Sequence, residues 1–144
     1  MAIPIQVTFD CADPDRVATF WAAALGYKLQ DPPEGYATWP EFLAAIGVPE
    51  ADWNKASAIV DPEGRGPRIY FQRVPEAKVV KNRVHLDVNV GGGHGTPADE
   101  RRSRVDEAVE RLVALGATKL RPYEENGEYW VVMQDPEGNE FCLQ

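Results

Sequence analysis

The tetrapeptide Asp-Pro-Glu-Gly occurs twice, at Asp61 and at Asp135, each time between two short alternating runs of the kind that form strands. Aspartate bonds its own backbone, proline presets φ and glycine supplies positive φ, so each copy reads as a tight turn between paired strands. Two more echoes keep the same order: Ala24-Leu25-Gly26 with Ala114-Leu115-Gly116, and Lys28-Leu29 with Lys119-Leu120. Three echoes in one order constrain the chain to an internal duplication, with gaps where one half carries extra length.

Each half then follows one plan. Ile3 to Asp10 alternates, with Ile3, Ile5, Val7 and Phe9 on one face and Pro4, Gln6, Thr8 and Asp10 on the other. Asp13-Pro14-Asp15 opens a helix with Asp13 as N-cap and Pro14 at its first position; Val17, Phe20, Trp21, Ala24 and Leu25 form one stripe, and Gly26 stops it. An irregular insertion, Asp31 to Lys55, precedes two strands at Ser57 to Val60 and Arg68 to Val74. The second half repeats the order: a strand Arg83 to Val90, a helix from about Pro97 to Leu115, and strands at Lys119 to Tyr123, Glu128 to Gln134 and Glu140 to Gln144. The predicted fold is α+β: two βαβββ modules, about 1–80 and 81–144 of a single domain, forming a curved, open-barrel mixed sheet around a central cavity with helices outside.

At 144 residues the chain can bury a core without staples, and 23 acidic against 15 basic residues give a formal net charge of −8. That charge repels nucleic-acid phosphates and anionic membrane surfaces, so neither is an expected partner. Arg101, Arg102 and Arg104 are interspersed with Asp99, Glu100, Asp106 and Glu107 and read as a solvated helix face. Two cysteines, Cys11 and Cys142, make no disulfide framework and no zinc-type spacing. No stretch has the length and apolarity of a membrane helix, and the N-terminus lacks the pattern of a signal peptide. The expected location is cytoplasmic.

Chemistry is sought on the polar strand faces. His85 shares a face with Asp87 and Asn89, and the first strand offers Gln6, Thr8 and Asp10. Histidine titrates within the neutral range, so His85 is a candidate general acid or base with Asp87 assisting; the competing reading is a pair that satisfies itself at a junction. Glu140 is a further candidate base, or a surface carboxylate at an edge, and Cys142 on the same face is a ligand-binding thiol or a buried inert one. Tyr36, Trp39, Phe42 and Trp53 in the insertion, with Tyr129 and Trp130, are placed either to stack on a planar ligand or to cap the core. Arg65-Gly-Pro-Arg68 is a basic turn that either touches an anionic ligand or is solvated. Gly91-Gly92-Gly93-His94-Gly95 lacks the features of a phosphate loop and reads as a connector.

The segments FDCADPDRVATFWAAALGY at residues 9–27, VHLDV at Val84 to Val88 and YWVVMQDPEGNEFCL at Tyr129 to Leu143 resemble the glyoxalase, bleomycin-resistance and extradiol-dioxygenase (vicinal oxygen chelate) superfamily, in particular actinobacterial-type glyoxalase-like domains. The resemblance implies metal ligands on the first and last strand of each module. Those positions fall on Gln6, His85, Cys142 and, by aligning Ile69-Tyr70-Phe71-Gln72 with Phe141-Cys142-Leu143-Gln144, on Tyr70, with Gln72 as a substitute. Such donors match a hard ion poorly, so the cofactor is expected to be none or a divalent metal. The function expected is a lyase, isomerase or dehydratase acting by acid-base chemistry at His85, with Asp87 and Glu140 as catalytic partners. Gln6, Thr8, Trp39, Tyr70, Gln72, Trp130 and Cys142 are the expected substrate-binding residues. The alternative is a noncatalytic protein that sequesters a small molecule, and the superfamily resemblance adds homodimerisation.

Overall fold

The computed structural model describes residues 1–144, which divide into two compact units, Met1–Ala77 and Lys78–Gln144. In chain order the elements are β1 (Val7–Cys11), α1 (Pro14–Leu25), β2 (Lys28–Leu29), α2 (Trp39–Ala45), a 3-10 turn (Glu50–Asp52), β3 (Ala56–Val60), β4 (Ile69–Arg73), β5 (Asp87–Val88), α3 (Ala98–Ala114), β6 (Thr118–Glu125), β7 (Glu128–Gln134) and β8 (Glu140–Leu143). The fold is α+β: the two four-stranded mixed sheets have the orders β1-β4-β3-β2 and β5-β8-β7-β6, and neither closes into a barrel. In both, the first strand lies parallel to the last and every other pairing is antiparallel. The repeat in the sequence is therefore a repeat of topology.

Local chemistry sets these elements. The Asp13 side chain accepts from Arg16 N, Pro14 occupies the first turn of α1, and Gly26 closes the helix at φ 71°. The stripe so oriented buries Val17, Phe20, Trp21 and Ala24. Trp21 packs on Phe9 with ring centres 5.2 Å apart, and Phe9 stacks on Phe71 at 5.3 Å, which ties helix to sheet. Helix α3 buries Val105, Ala108, Val109 and Leu112 in the same way. The repeated turns share their wiring. Asp61 accepts from Glu63, Arg65 and Gly66 backbone N–H groups, and Asp135 from those of Glu137 and Asn139, with Gly64 and Gly138 both at positive φ.

Two strands are shorter than the alternation predicts. Strand β1 starts at Val7, not Ile3, and Ile3 and Ile5 are 87% and 74% exposed. Its ladder ends because β4 begins at Ile69, opposite Val7, just after Gly66-Pro67; residues 3–6 have no backbone to pair with, and Pro4 has no N–H to offer. Strand β5 is likewise confined to Asp87–Val88, and Val84 is 83% exposed. Its partner β8 begins only at Glu140, just past the Gly138 turn, so residues upstream of His85 run out of ladder. The insertion also carries more order than its composition suggests, since Thr38 caps α2 by accepting from Glu41 N.

Leu112 is fully buried while Val84 stands in solvent, and this difference is measurable. Leu112→Ala is expected to destabilise the protein by about 2–5 kcal/mol in urea unfolding, and Val84→Ser by less than about 0.5 kcal/mol.

Candidate functional site

In the second unit, β5 and β8 run side by side with Asp87 opposite Cys142. His85 lies two residues before Asp87 and projects to the same side; its Nε2 is 3.3 Å from Asp87 Oδ1. Both side chains are a little under half exposed, whereas Cys142 is buried. Burial, and then the neighbouring Asp87 carboxylate that accepts from it, push the Cys142 thiol up to about 11. At neutral pH that sulfur keeps its proton and is no nucleophile.

These groups open into a cavity of about 590 Å³ whose walls include Arg101, Tyr129 and Trp130. Trp130 stacks flat on Tyr123 at 5.5 Å, fixing its ring. The Tyr129 hydroxyl donates to Asp106 at 2.6 Å, and burial together with that bond pushes its pKa to about 12, so it stays a neutral phenol. Arg101 corrects the reading of the α3 arginines as one solvated face. Arg102 and Arg104 pair with Glu124 and Glu100 on the surface, but Arg101 is 22% exposed, lies in the cavity wall near Glu128, and leaves its buried Nε without a partner. The signal was in the helical spacing: Arg101 falls on the stripe of Val105, Ala108 and Leu112, which composition alone obscures.

Glu140 lines no part of this cavity. Its carboxylate accepts from Asn82 N at 3.1 Å and lies 3.1 Å from Lys78 Nζ. Burial opposes ionisation, but the Asn82 hydrogen bond and the Lys78 charge outweigh it and hold Glu140 below the usual carboxylate range. The group ties the segment before β5 to β8.

In the first unit, β1 and β4 place Thr8 opposite Tyr70 and Asp10 opposite Gln72, and Gln72 Nε2 donates to Asp10 Oδ1 at 2.7 Å. Gln6 Oε1 accepts from Arg68 Nη1 at 2.8 Å, and the Arg68 guanidinium lies 5.3 Å above the Tyr70 ring. Tyr70 and Trp39 share a cavity of about 650 Å³; Gln6, Thr8 and Gln72 lie outside its walls. The candidate residues therefore separate into two groups: His85, Asp87, Trp130 and Cys142 around one cavity, and Trp39 and Tyr70 around another.

A divalent ion can be tested against these donors. Gln6 and Tyr70 both face a guanidinium, which repels a cation, so the four positions implied by family resemblance do not fit as a set. His85, Asp87 and Cys142 offer one atom each, all within 4.8 Å of one another. That nitrogen, oxygen and sulfur set suits a borderline ion such as zinc, not a hard one, and needs the thiol deprotonated.

Residues 6–144 match the family of glyoxalase-like domains, and the chain belongs to that family. No curated protein matches it. Its fold is similar to that of a glyoxalase/bleomycin resistance protein/dioxygenase family enzyme from Burkholderia phytofirmans, at 20% identity and TM-score 0.60, covering 96% of this chain and 94% of that one. It is also similar to a mutant of the fosfomycin resistance protein FosX from Listeria monocytogenes, complexed with Mn(II) and 1S,2S-dihydroxypropylphosphonic acid, at 14% identity and TM-score 0.63, covering 100% and 90%. A possible glyoxalase from Bacillus cereus aligns at 13% identity and TM-score 0.62, covering 100% and 99%. No helix is long and apolar enough to cross a membrane.

Glu140 yields a test of its structural placement. Because its carboxyl is held low in the folded state, its contribution is present above the unfolded carboxyl range and is lost as pH falls through the folded value. Glu140→Gln should lower stability at pH 7 by about 1–2 kcal/mol, and the gap from the parent protein should close in unfolding curves recorded near pH 3.

Proposed function

We propose that this chain is a small-molecule enzyme of the glyoxalase-like superfamily, of lyase, isomerase or dehydratase type, with His85 as its acid-base group. The observation that carries the reading is the 3.3 Å approach of His85 Nε2 to Asp87 Oδ1 in the wall of a cavity large enough for a small metabolite. An imidazole beside a carboxylate can take a proton from a bound carbon or hydroxyl acid, and the carboxylate stabilises the imidazolium that results. Returning that proton to a neighbouring atom gives isomerisation; delivering it to a leaving group gives elimination. Arg101 in the same wall, although paired with Glu128, keeps an unpartnered Nε–H that can donate to an oxygen gaining negative charge during the reaction. Trp130, braced by Tyr123, presents an apolar surface against which a ligand is positioned.

If a zinc-type ion is held by His85, Asp87 and Cys142, it polarises an oxygen of the ligand. No proton transfer described above depends on it. The closing segment Tyr129 to Leu143 supports the actinobacterial-type assignment within the family.

A second reading, noncatalytic sequestration of a small planar compound, is favoured by the first unit's cavity, whose walls include Trp39, Leu43 and Trp53.

The catalytic reading is tested by screening small carbonyl, hydroxy-acid and epoxide compounds for stabilisation of the fold, then for turnover. His85→Asn should retain folding and reduce kcat by about 10²- to 10⁴-fold for any substrate found; unchanged turnover removes His85 from the chemistry. Elemental analysis of protein purified without added metal should show no stoichiometric divalent ion. One ion per chain would recast His85 as a ligand.

A further inference from the structure

Arg68 is a charge in the first unit that no carboxylate offsets. It follows Pro67 at the head of β4, and its side chain enters the cavity that Trp39, Leu43, Trp53 and Tyr70 also line. Two neutral acceptors hold it in place: Gln30 Oε1 takes Nε–H at 2.7 Å and Gln6 Oε1 takes an Nη1–H at 2.8 Å. The Tyr70 ring supports the guanidinium from one side at 5.3 Å. No carboxylate pairs with it, whereas Arg65, Arg101, Arg102 and Arg104 each lie against a glutamate. Glutamine oxygens orient a guanidinium without cancelling its charge. The Nη2 hydrogens and the second Nη1 hydrogen are left for something else.

The surroundings narrow what that is. Trp39 is fixed by its indole N–H, which donates to Gln30 O at 2.7 Å, and Trp53 by its own bond to Val48 O at 2.9 Å, so both rings are held in the wall rather than free to collapse. Asp52, also in the wall, is neutralised by Lys55 at 3.2 Å. Asp15, also in the wall, stands in the first turn of α1, so an anion is favoured only at the Arg68 side of the cavity. A pocket with indole and leucine walls and one oriented, uncancelled guanidinium matches a flat apolar body carrying an oxyanion. The planar fork of arginine fits the two oxygens of a carboxylate.

We propose that the first unit's cavity binds a small planar aromatic carboxylate, its ring among Trp39, Leu43 and Trp53 and its carboxylate on the open edge of Arg68. This rests on the sequestering reading of that cavity and adds the charge of the ligand. It requires nothing of His85.

The probes are 2-naphthoate and its uncharged isostere 2-naphthamide, titrated by calorimetry and followed through the indole N–H signals of isotopically labelled protein. Naphthoate should bind at least about tenfold more tightly than naphthamide and shift the Trp39 and Trp53 signals while leaving Trp130 in place. Arg68→Met should abolish the preference for the acid. Arg68→Lys, which keeps the charge but loses the fork, should weaken naphthoate binding and serves if the Met variant does not fold. Equal affinity for acid and amide, with Trp39 still shifted, overturns the anionic ligand and leaves planar sequestration standing. No saturable binding at millimolar naphthoate, or a shift at Trp130 instead of Trp39, overturns both.

Discussion

The parallel pairing of first strand with last is the constraint on which each unit depends. A parallel neighbour cannot be reached by a tight turn, so the chain leaves β1 through α1 and passes along β2 and β3 before β4 returns to it; β5 and β8 are joined by the same kind of circuit. The helix needed for that circuit covers one face of the sheet and buries the aromatic and aliphatic side chains there. The opposite face of the paired strands is then free to carry polar groups, and it juxtaposes residues distant in sequence. Thr8 meets Tyr70 and Asp87 meets Cys142 only because of this pairing.

What such a face can do depends on whether its charges are cancelled. Around His85 the Asp87 carboxylate lies 3.3 Å from the imidazole and also disfavours a thiolate at Cys142, so one side chain engages the ring and keeps the sulfur a thiol. Glu140 is engaged differently, because Asn82 and Lys78 use its oxygens for holding the chain together. Two acids on neighbouring strands thus have different chemical fates, decided by the donors each one faces.

Much of this was legible in the sequence. Aligning Ile69-Tyr70-Phe71-Gln72 with Phe141-Cys142-Leu143-Gln144 agrees with the backbone registers, since Thr8 lies opposite Tyr70 as Asp87 lies opposite Cys142. Helix bounds followed from Asp13, Pro14 and Gly26, whose effects are local. Strand ends were less legible, because the length of β1 is set by where β4 begins, and alternation at Ile3 and Ile5 carries no information about a partner's end. The site was legible by face and illegible by engagement. The spacing of His85 and Asp87 placed them together, but nothing in the order of residues showed that Gln6 would be held by Arg68 or Glu140 by Asn82, since those bonds join residues about sixty positions apart. Arg101 was hidden by its acidic neighbours, although its helical phase points into the cavity wall.

The two units show how one topology carries divergent chemistry. At the position where the second unit has His85, two residues before the paired Asp87, the first has Gln6, two before the paired Thr8. A glutamine there neither titrates nor repels a cation, so a guanidinium can settle against it, and Arg68 does. Once Arg68 is seated over Tyr70, its charge repels a metal ion from Gln6 and Tyr70, while the β5 and β8 face retains an acid, an imidazole and a thiol. Gln6 and Thr8 on one strand, where the other unit has His85 and Asp87, thus give one topology two different sets of polar groups.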